Sequence, residues 1–279
     1  MSQPVERNAA DALTVYDPVW DRMRTEAQEM AQSESALASF LHVTVLNHRH
    51  FNSSLAYHLA QKLGNVEVRA MQLREIFDDV LKSAPEIGEA ARVDIVAYYE
   101  RDPACHSYVQ PLLFFKGYHA LQAYRIAHWL WTNGRRAMAL YLQNRISDLF
   151  AVDIHPAAKI GRGVFIDHAT GIVIGETAVV GDDVSMLHAV TLGGTGKESG
   201  DRHPKVHRGV LISVGAKVLG NIQIGEYSRI GAGSVVLHDV PPHCTAVGVP
   251  AKIVGCAGCD KPSHEMDHII DEGEGGAGI

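Results

Sequence analysis

From Ile154 onward an aliphatic residue returns at every sixth position: Ile154, Ile160, Ile166, Ile172, Ala178, Val184 and Val190. After a gap the beat resumes at Val206, Ile212, Val218, Ile224, Ile230 and Val236. An α-helix repeats its apolar face about every 3.6 residues and a flat strand every second residue, so neither explains a period of six. Such a period, with frequent glycine, predicts a parallel β-helix of four to five coils. Each hexapeptide forms one short side of a triangular coil, and its aliphatic points inward to stack on the equivalent residue three hexapeptides later. A prism of this kind buries a narrow apolar column and little else, so association of several copies side by side is predicted with it. The step from Val190 to Val206 is far longer than the six that would continue the coil. The ten extra residues predict a loop leaving one face of the prism, Gly193 to Pro204 at its widest, and insertions of this kind often carry function.

Residues 1–150 have another texture. Ser33-Glu34-Ser35 reads as a cap before an amphipathic helix from Ala36 to Leu41. Ser53 to Ala60 runs on to Gly64, a glycine stop. Val66–Lys82 and Ile87–Glu100 are two further helical stretches, the second broken by Asp102-Pro103. Pro111 opens one long segment, Leu112–Trp131, which ends at Asn133-Gly134, and Arg135–Phe150 feeds the first coil. The expected organisation is α+β: an α-helical domain of six to eight helices over 1–150, a β-helix over 151–255 with its loop at 191–205, and a flexible, Gly-rich acidic tail over 256–279.

Charge and composition narrow the function. A net charge of -7 leaves no basic footprint for nucleic acid. No apolar run reaches the roughly 18 to 20 residues of a membrane span, and Met1–Asp11 lacks the apolar core of a signal peptide. Four cysteines without a secretion signal predict a reducing cytoplasm. Cys105 and Cys244 read as packing or surface residues. Cys256 and Cys259, with His264 and His268, have a spacing that zinc could use, but coincidence in a tail is the preferred reading, and no metal ligand is assigned.

Candidate chemistry gathers near the start of the β-helix. Asp153 ends its hexapeptide and His168 is third in the hexapeptide one coil later, which predicts that they lie on one side of the prism on neighbouring rungs. A carboxylate beside an imidazole fixes its tautomer and suits a general base; the same pattern also fits an ordinary surface pair. Arg202 and His203 on the loop are donors, while Asp102 and Asp167 are acceptors. Together they are suited either to gripping a zwitterion or to forming a solvated charge cluster.

At this point the chain resembles a known family. Arg101-Asp102-Pro103-Ala104, Lys116 to Arg125, Asp153 to Ala158, Asp167 to Gly171, Val190 to Gly196 and Asp201 to Lys205 are similar to the motifs of bacterial serine O-acetyltransferases. The similarity extends from about residue 35 to about residue 255. It implies a left-handed β-helix and transfer of acetyl from acetyl-CoA to the L-serine hydroxyl, in cysteine biosynthesis. It implies His168 as general base with Asp153 orienting it, Asp102 and Asp167 on the substrate ammonium, Arg202 and His203 on its carboxylate, and Glu176 and His155 as support. The site would lie between subunits of a trimer or of a pair of trimers. Acetyl-CoA would lie along small residues, Gly194, Thr195, Gly215, Gly231 and Ala232, although Ser213-Val214 stands where relatives often have Gly-Ala. His188 is assigned no role. No cofactor beyond this co-substrate is implied. L-cysteine is expected as feedback inhibitor, and O-acetylserine sulfhydrylase as a partner held through Ile279. The alternatives are a γ-type carbonic anhydrase, with His155, His168 and His188 as candidate zinc ligands, and a non-catalytic scaffold for the sulfhydrylase.

Overall fold

The computed structural model describes residues 17–196, 199–256 and 260–268. Helix α1 (Pro18–Ser33) is one that the hydrophobic pattern does not single out, although its start is legible. Asp17 caps it by accepting from the Trp20 amide at 3.1 Å, and proline occupies the first turn. The expected amphipathic helix after Ser35 is instead a chain of short pieces: a 3₁₀ turn at Ser35–Leu37, α2 (Ala38–Leu41) and a π-helical turn at His42–Leu46. Its cap is Glu34, which accepts from the Ala36 amide. Then come α3 (Phe51–Leu63), α4 (Ala70–Ser83) and α5 (Pro85–Arg101). Gly64 does end α3, but in an extended conformation rather than a left-handed one. Its hydrogen is required because a Cβ there would come within 2.7 Å of the Ala70 amide nitrogen.

The long segment expected from Leu112 to Trp131 is two helices, α6 (Val109–Phe114) and α7 (Lys116–Thr132), broken at the extended Phe115. The break lets α7 start against the solenoid. A Cβ on Gly117 would lie 2.2 Å from the Ile166 carbonyl oxygen, so only glycine permits this approach. Helix α8 (Arg136–Phe150) ends at Ala151 in the left-handed region, and the coils begin directly after it. None of the helices is long and apolar enough to cross a membrane, among the described residues.

The six-beat folds into three parallel columns of short strands. The first is β1 (Val152–Ile154), β4 (Ile172–Ile174), β7 (Thr191–Gly193), β10 (Lys217–Leu219) and β13 (Val235–Val236). The second is β2 (Lys159–Ile160), β5 (Val179–Val180), β8 (Lys205–Val206) and β11 (Gln223–Ile224). The third is β3 (Phe165–Ile166), β6 (Ser185–Met186), β9 (Leu211–Ile212), β12 (Arg229–Ile230) and β14 (Cys244–Gly248), closed by antiparallel β15 (Ala251–Cys256).

The register corrects the counting. Ile174 aligns with Leu192, a step of three plain hexapeptides, whereas Ile166 aligns with Met186, a step longer by two. The chain therefore carries a two-residue insertion between Ile166 and Ile174, at the corner that holds Asp167 and His168. Leu192 aligns with Val218, a step longer than three hexapeptides by eight, so the later insertion is eight and not ten. Counting along the sequence misses both because each hexapeptide buries two residues, two positions apart. Ile172, Ala178, Val184 and Val190 are buried just as Ile174, Val180, Met186 and Leu192 are.

The helices are joined to the first coil by buried polar bonds. Asp94, with 0% exposure, accepts from Arg125 Nη2 at 2.7 Å, Gln122 Nε2 at 2.8 Å and the Val164 amide at 3.0 Å. Arg125 also donates to the Gly161 carbonyl at 2.7 Å. Tyr98 Oη donates to the Ile166 carbonyl at 2.9 Å, and the Ile166 amide approaches the same oxygen at 3.2 Å.

The cysteines depart from expectation. Cys244 and Cys256 form a disulfide across β14 and β15, so neither stays a free thiol and Cys256 is not open to a metal. Cys105 is free and buried, and burial pushes its thiol up to about 11. Cys259 lies outside the described residues. Part of the expected tail is docked: in α9 (Pro262–Glu265), Pro262 and Ser263 are buried. His264 Nε2 accepts from Arg101 Nη2 at 3.2 Å, and His268 Nδ1 lies 3.0 Å from Ser213 Oγ. The two histidines thus have separate partners and do not converge on one point.

Candidate active site

The predicted residues fall into two clusters, at the two corners that flank the first strand column. One corner joins the third column to the first. Here α5, α7 and β3 set the position: Tyr98 and Gly117 pin the end of β3 at Ile166, and the chain then turns through Asp167 and His168. His168 and Ala169 both adopt the left-handed region, with φ of 54° and 59°. Two successive non-glycine residues in that region are uncommon and cost roughly 1–3 kcal/mol each, a strain that tends to collect at functional sites. The turn throws the His168 side chain outward, 75% exposed. Its Nε2 lies 3.6 Å from Asp167 Oδ2, beyond a hydrogen bond but within ion-pair range. Its ring meets that of His188, one coil on, edge to face at 5.8 Å and 83°. Burial raises the Asp167 carboxyl above its ordinary range, the His168 ring opposes the shift, and the charge of Asp102 adds to it. Asp102 ends α5 at this corner and is held by the Ala104 amide at 2.8 Å.

The other corner joins the first column to the second, where the inserted loop leaves. Thr177 organises it. Its Oγ1 accepts from the Arg202 and His203 amides at 3.0 and 3.1 Å and lies 2.9 Å from His203 Nδ1. The Thr177 amide donates to that same nitrogen at 3.2 Å, so the His203 ring proton sits on Nε2. His203 is only 7% exposed, and burial, then Arg202 and Lys205, hold its pKa below the ordinary value. Its ring fills the space over Gly175, where a Cβ would lie 1.9 Å from Nε2. Arg202 Nη2 donates to Glu176 Oε2 at 2.8 Å, which keeps that carboxyl below its usual range. His155 packs edge-on against Trp131 at 5.1 Å and accepts from the Ala157 amide. Sequence reading did not find Thr177; its signal is its place just after the tight Gly175-Glu176 corner, facing the insertion.

Asp153 is not bonded to His168 within the chain. It lies in β1 opposite Val173, and its Oδ1 accepts from Gln143 Nε2 at 2.7 Å. His168 itself lies outside the strands, in the corner that carries the two-residue insertion. The expected acetyl-CoA residues are divided in the same way. Gly215 and Ala232 stand on the corner beyond His188, where the Gly215 amide donates to the His188 carbonyl at 3.0 Å. Gly194 and Thr195 stand at the loop corner, with Gly194 against Arg202 and Thr195 against Gly220. Gly231 is within the coil, its amide bonded to the Ala246 carbonyl. Ile279 lies outside the described residues.

The family model for the N-terminal region of serine acetyltransferases matches residues 19–123, and that for six bacterial transferase hexapeptide repeats matches residues 203–238. A serine acetyltransferase of Salmonella typhimurium is 56% identical over 264 residues, covering 92% of this chain and 97% of the relative. The chain belongs to the serine acetyltransferase family. Its reaction is acetyl transfer to serine. A serine acetyltransferase solved in complex with cysteine superposes with a TM-score of 0.89 at 55% identity, covering 91% of this chain and 98% of the other. The Brucella abortus serine acetyltransferase in complex with coenzyme A superposes at 0.85 and 52% identity, covering 90% and 99%. Family membership sets aside the carbonic-anhydrase and scaffold alternatives.

Proposed function

We propose that this serine acetyltransferase builds its site from the two corners of neighbouring protomers. One observation carries the reading: the groups suited to proton transfer and to an ammonium stand at one corner, and those suited to a carboxylate stand at the other. A second copy of the chain, packed side by side in a homo-oligomer (a trimer or a pair of trimers), brings unlike corners together. In this arrangement Asp102 and Asp167 take the serine ammonium, while Arg202 and the Nε2 proton of His203 take its carboxylate. His168 removes the hydroxyl proton as the oxygen attacks the acetyl-CoA carbonyl. O-acetylserine and free CoA result, with the proton passing from His168 to the departing thiolate. Asp153, with Oδ2 free of the Gln143 bond, is the orienting carboxylate. Acetyl-CoA lies against Gly194, Thr195, Gly215 and Ala232, and the use of a CoA thioester is consistent with a cytoplasmic reaction, although the Cys244–Cys256 disulfide removes the free-thiol argument for that location. Cysteine, an isostere of serine, competes at the same site, in keeping with the relative solved with cysteine bound.

The test is serine-dependent release of CoA thiol. His168→Ala is expected to lower turnover about 10²- to 10⁴-fold with acetyl-CoA binding retained. Unchanged turnover removes the base assignment. For the partner, O-acetylserine sulfhydrylase held through Ile279, deletion of Ile279 is expected to abolish complex formation in gel filtration while transferase activity stays. A complex that survives the deletion sinks the anchor.

A further inference from the structure

We propose that His188 is a positioning residue for the reaction: its ring holds the His168 imidazole in the orientation for proton removal. The inference rests on the assignment of His168 as base.

The coil itself does not call for an imidazole at this place. The register puts Val214 and Ala232 at the equivalent corner position in the next two coils, and Thr170 in the coil before. What the corner needs is the left-handed residue that follows, Ala189, Gly215 or Gly233. His188 is therefore surplus to the fold. It is also costly, because its Nδ1 is buried and has no hydrogen-bond partner among the described residues.

The benefit lies one coil away. His168 projects from a two-residue insertion with its side chain 75% exposed, and Asp167 at 3.6 Å is too far to fix it by a hydrogen bond. The edge-to-face contact with His188 is the aromatic contact this ring makes among the described residues. Two rings at 5.8 Å and 83° have the T-shaped geometry that aromatic pairs prefer. The main chain of His188 is held in place, its carbonyl bonded to the Gly215 amide. It thus gives the base a second constraint beside the orienting carboxylate proposed above, and misorientation of a reacting group is a recognised route to large rate losses.

The experiment is a double-mutant cycle read in kcat and KM. His188→Ala is expected to lower kcat about tenfold with KM for serine and acetyl-CoA changed less than about twofold, since the interaction acts on the chemical step. His188→Phe, which restores a ring edge without titratable nitrogens, is expected to recover most of that loss; it also carries the test if the alanine variant folds poorly. In the His168→Ala background, His188→Ala is expected to have no further effect, because its role is exerted through the absent imidazole. The proposal is overturned if His188→Ala leaves kcat unchanged, if it acts only on KM, or if its effect persists undiminished without His168. If His168→Ala itself keeps the parent rate, the base assignment falls and this inference falls with it.

Discussion

Histidines show how burial decides the behaviour of one residue type. His58 and His119 lie in the helical core with rings 5.1 Å apart, and burial lowers both. His58 falls from 6.5 to about 3. The unfolded chain therefore takes up protons that the folded chain refuses. Stability is fully present above the unfolded value of 6.5 and is lost as pH falls from there toward 3. Each such residue costs about 1.4 kcal/mol per pH unit in that window. We expect the urea-unfolding free energy to drop by about 2 to 4 kcal/mol between pH 7.5 and pH 5; a flat profile would contradict neutral burial. His168 has the opposite setting. The chain accepts left-handed backbone at two consecutive residues to hold this ring in solvent, on the corner where the reaction is proposed.

At the level of elements, the join between helices and coils matters most. The carboxylate of Asp94 in α5 is completely buried and binds Arg125 in α7 and the Val164 amide just before β3. A buried ion pair gives little net stability over an apolar pair, but removing one partner leaves an uncompensated charge. Asp94→Ala is expected to destabilise by about 3–5 kcal/mol and to loosen the end of β3, so that activity falls along with the urea midpoint. A variant as stable as the parent would mean that Arg125 finds other partners. Gly117 and Tyr98 act at the same join, holding Ile166 next to Asp167. The helical region thereby sets the position of the corner that carries His168.

For the whole molecule, the separation of the two corners leads to a complementation test. His168→Ala and Arg202→Ala, each nearly inactive alone, are expected to regain a measurable part of the parent activity when co-expressed. A mixed oligomer contains some interfaces in which both contributing corners are intact. A site built within one protomer gives no recovery, and that outcome would end the shared-site reading. The same scale explains the exposed Val173 on the outer face of the first column, opposite Asp153. A narrow prism leaves apolar residues outside, where a second copy has something to cover.

The linear order of residues determined the period of six, hence the three parallel columns, and the positions of the breaks at Asp102-Pro103 and Asn133-Gly134. It also singled out the side chains on which the proposed chemistry rests: Asp102, Asp167, His168, Arg202 and His203. These are local facts, set by side-chain identity and backbone preference. What the sequence left open was long-range. Strand register alone revealed the short insertion at His168 and the true size of the one at the loop, because a period with two buried positions per repeat can be counted in either phase. Packing alone showed why residue 117 is glycine, since the neighbour that excludes a Cβ there is the carbonyl of Ile166, in the solenoid and far along the chain. Proximity alone joined Cys244 to Cys256 and set His188 against His168. In each case the deciding contact is one between side chains or backbone segments that the order of residues does not itself specify, and only the folded structure makes it.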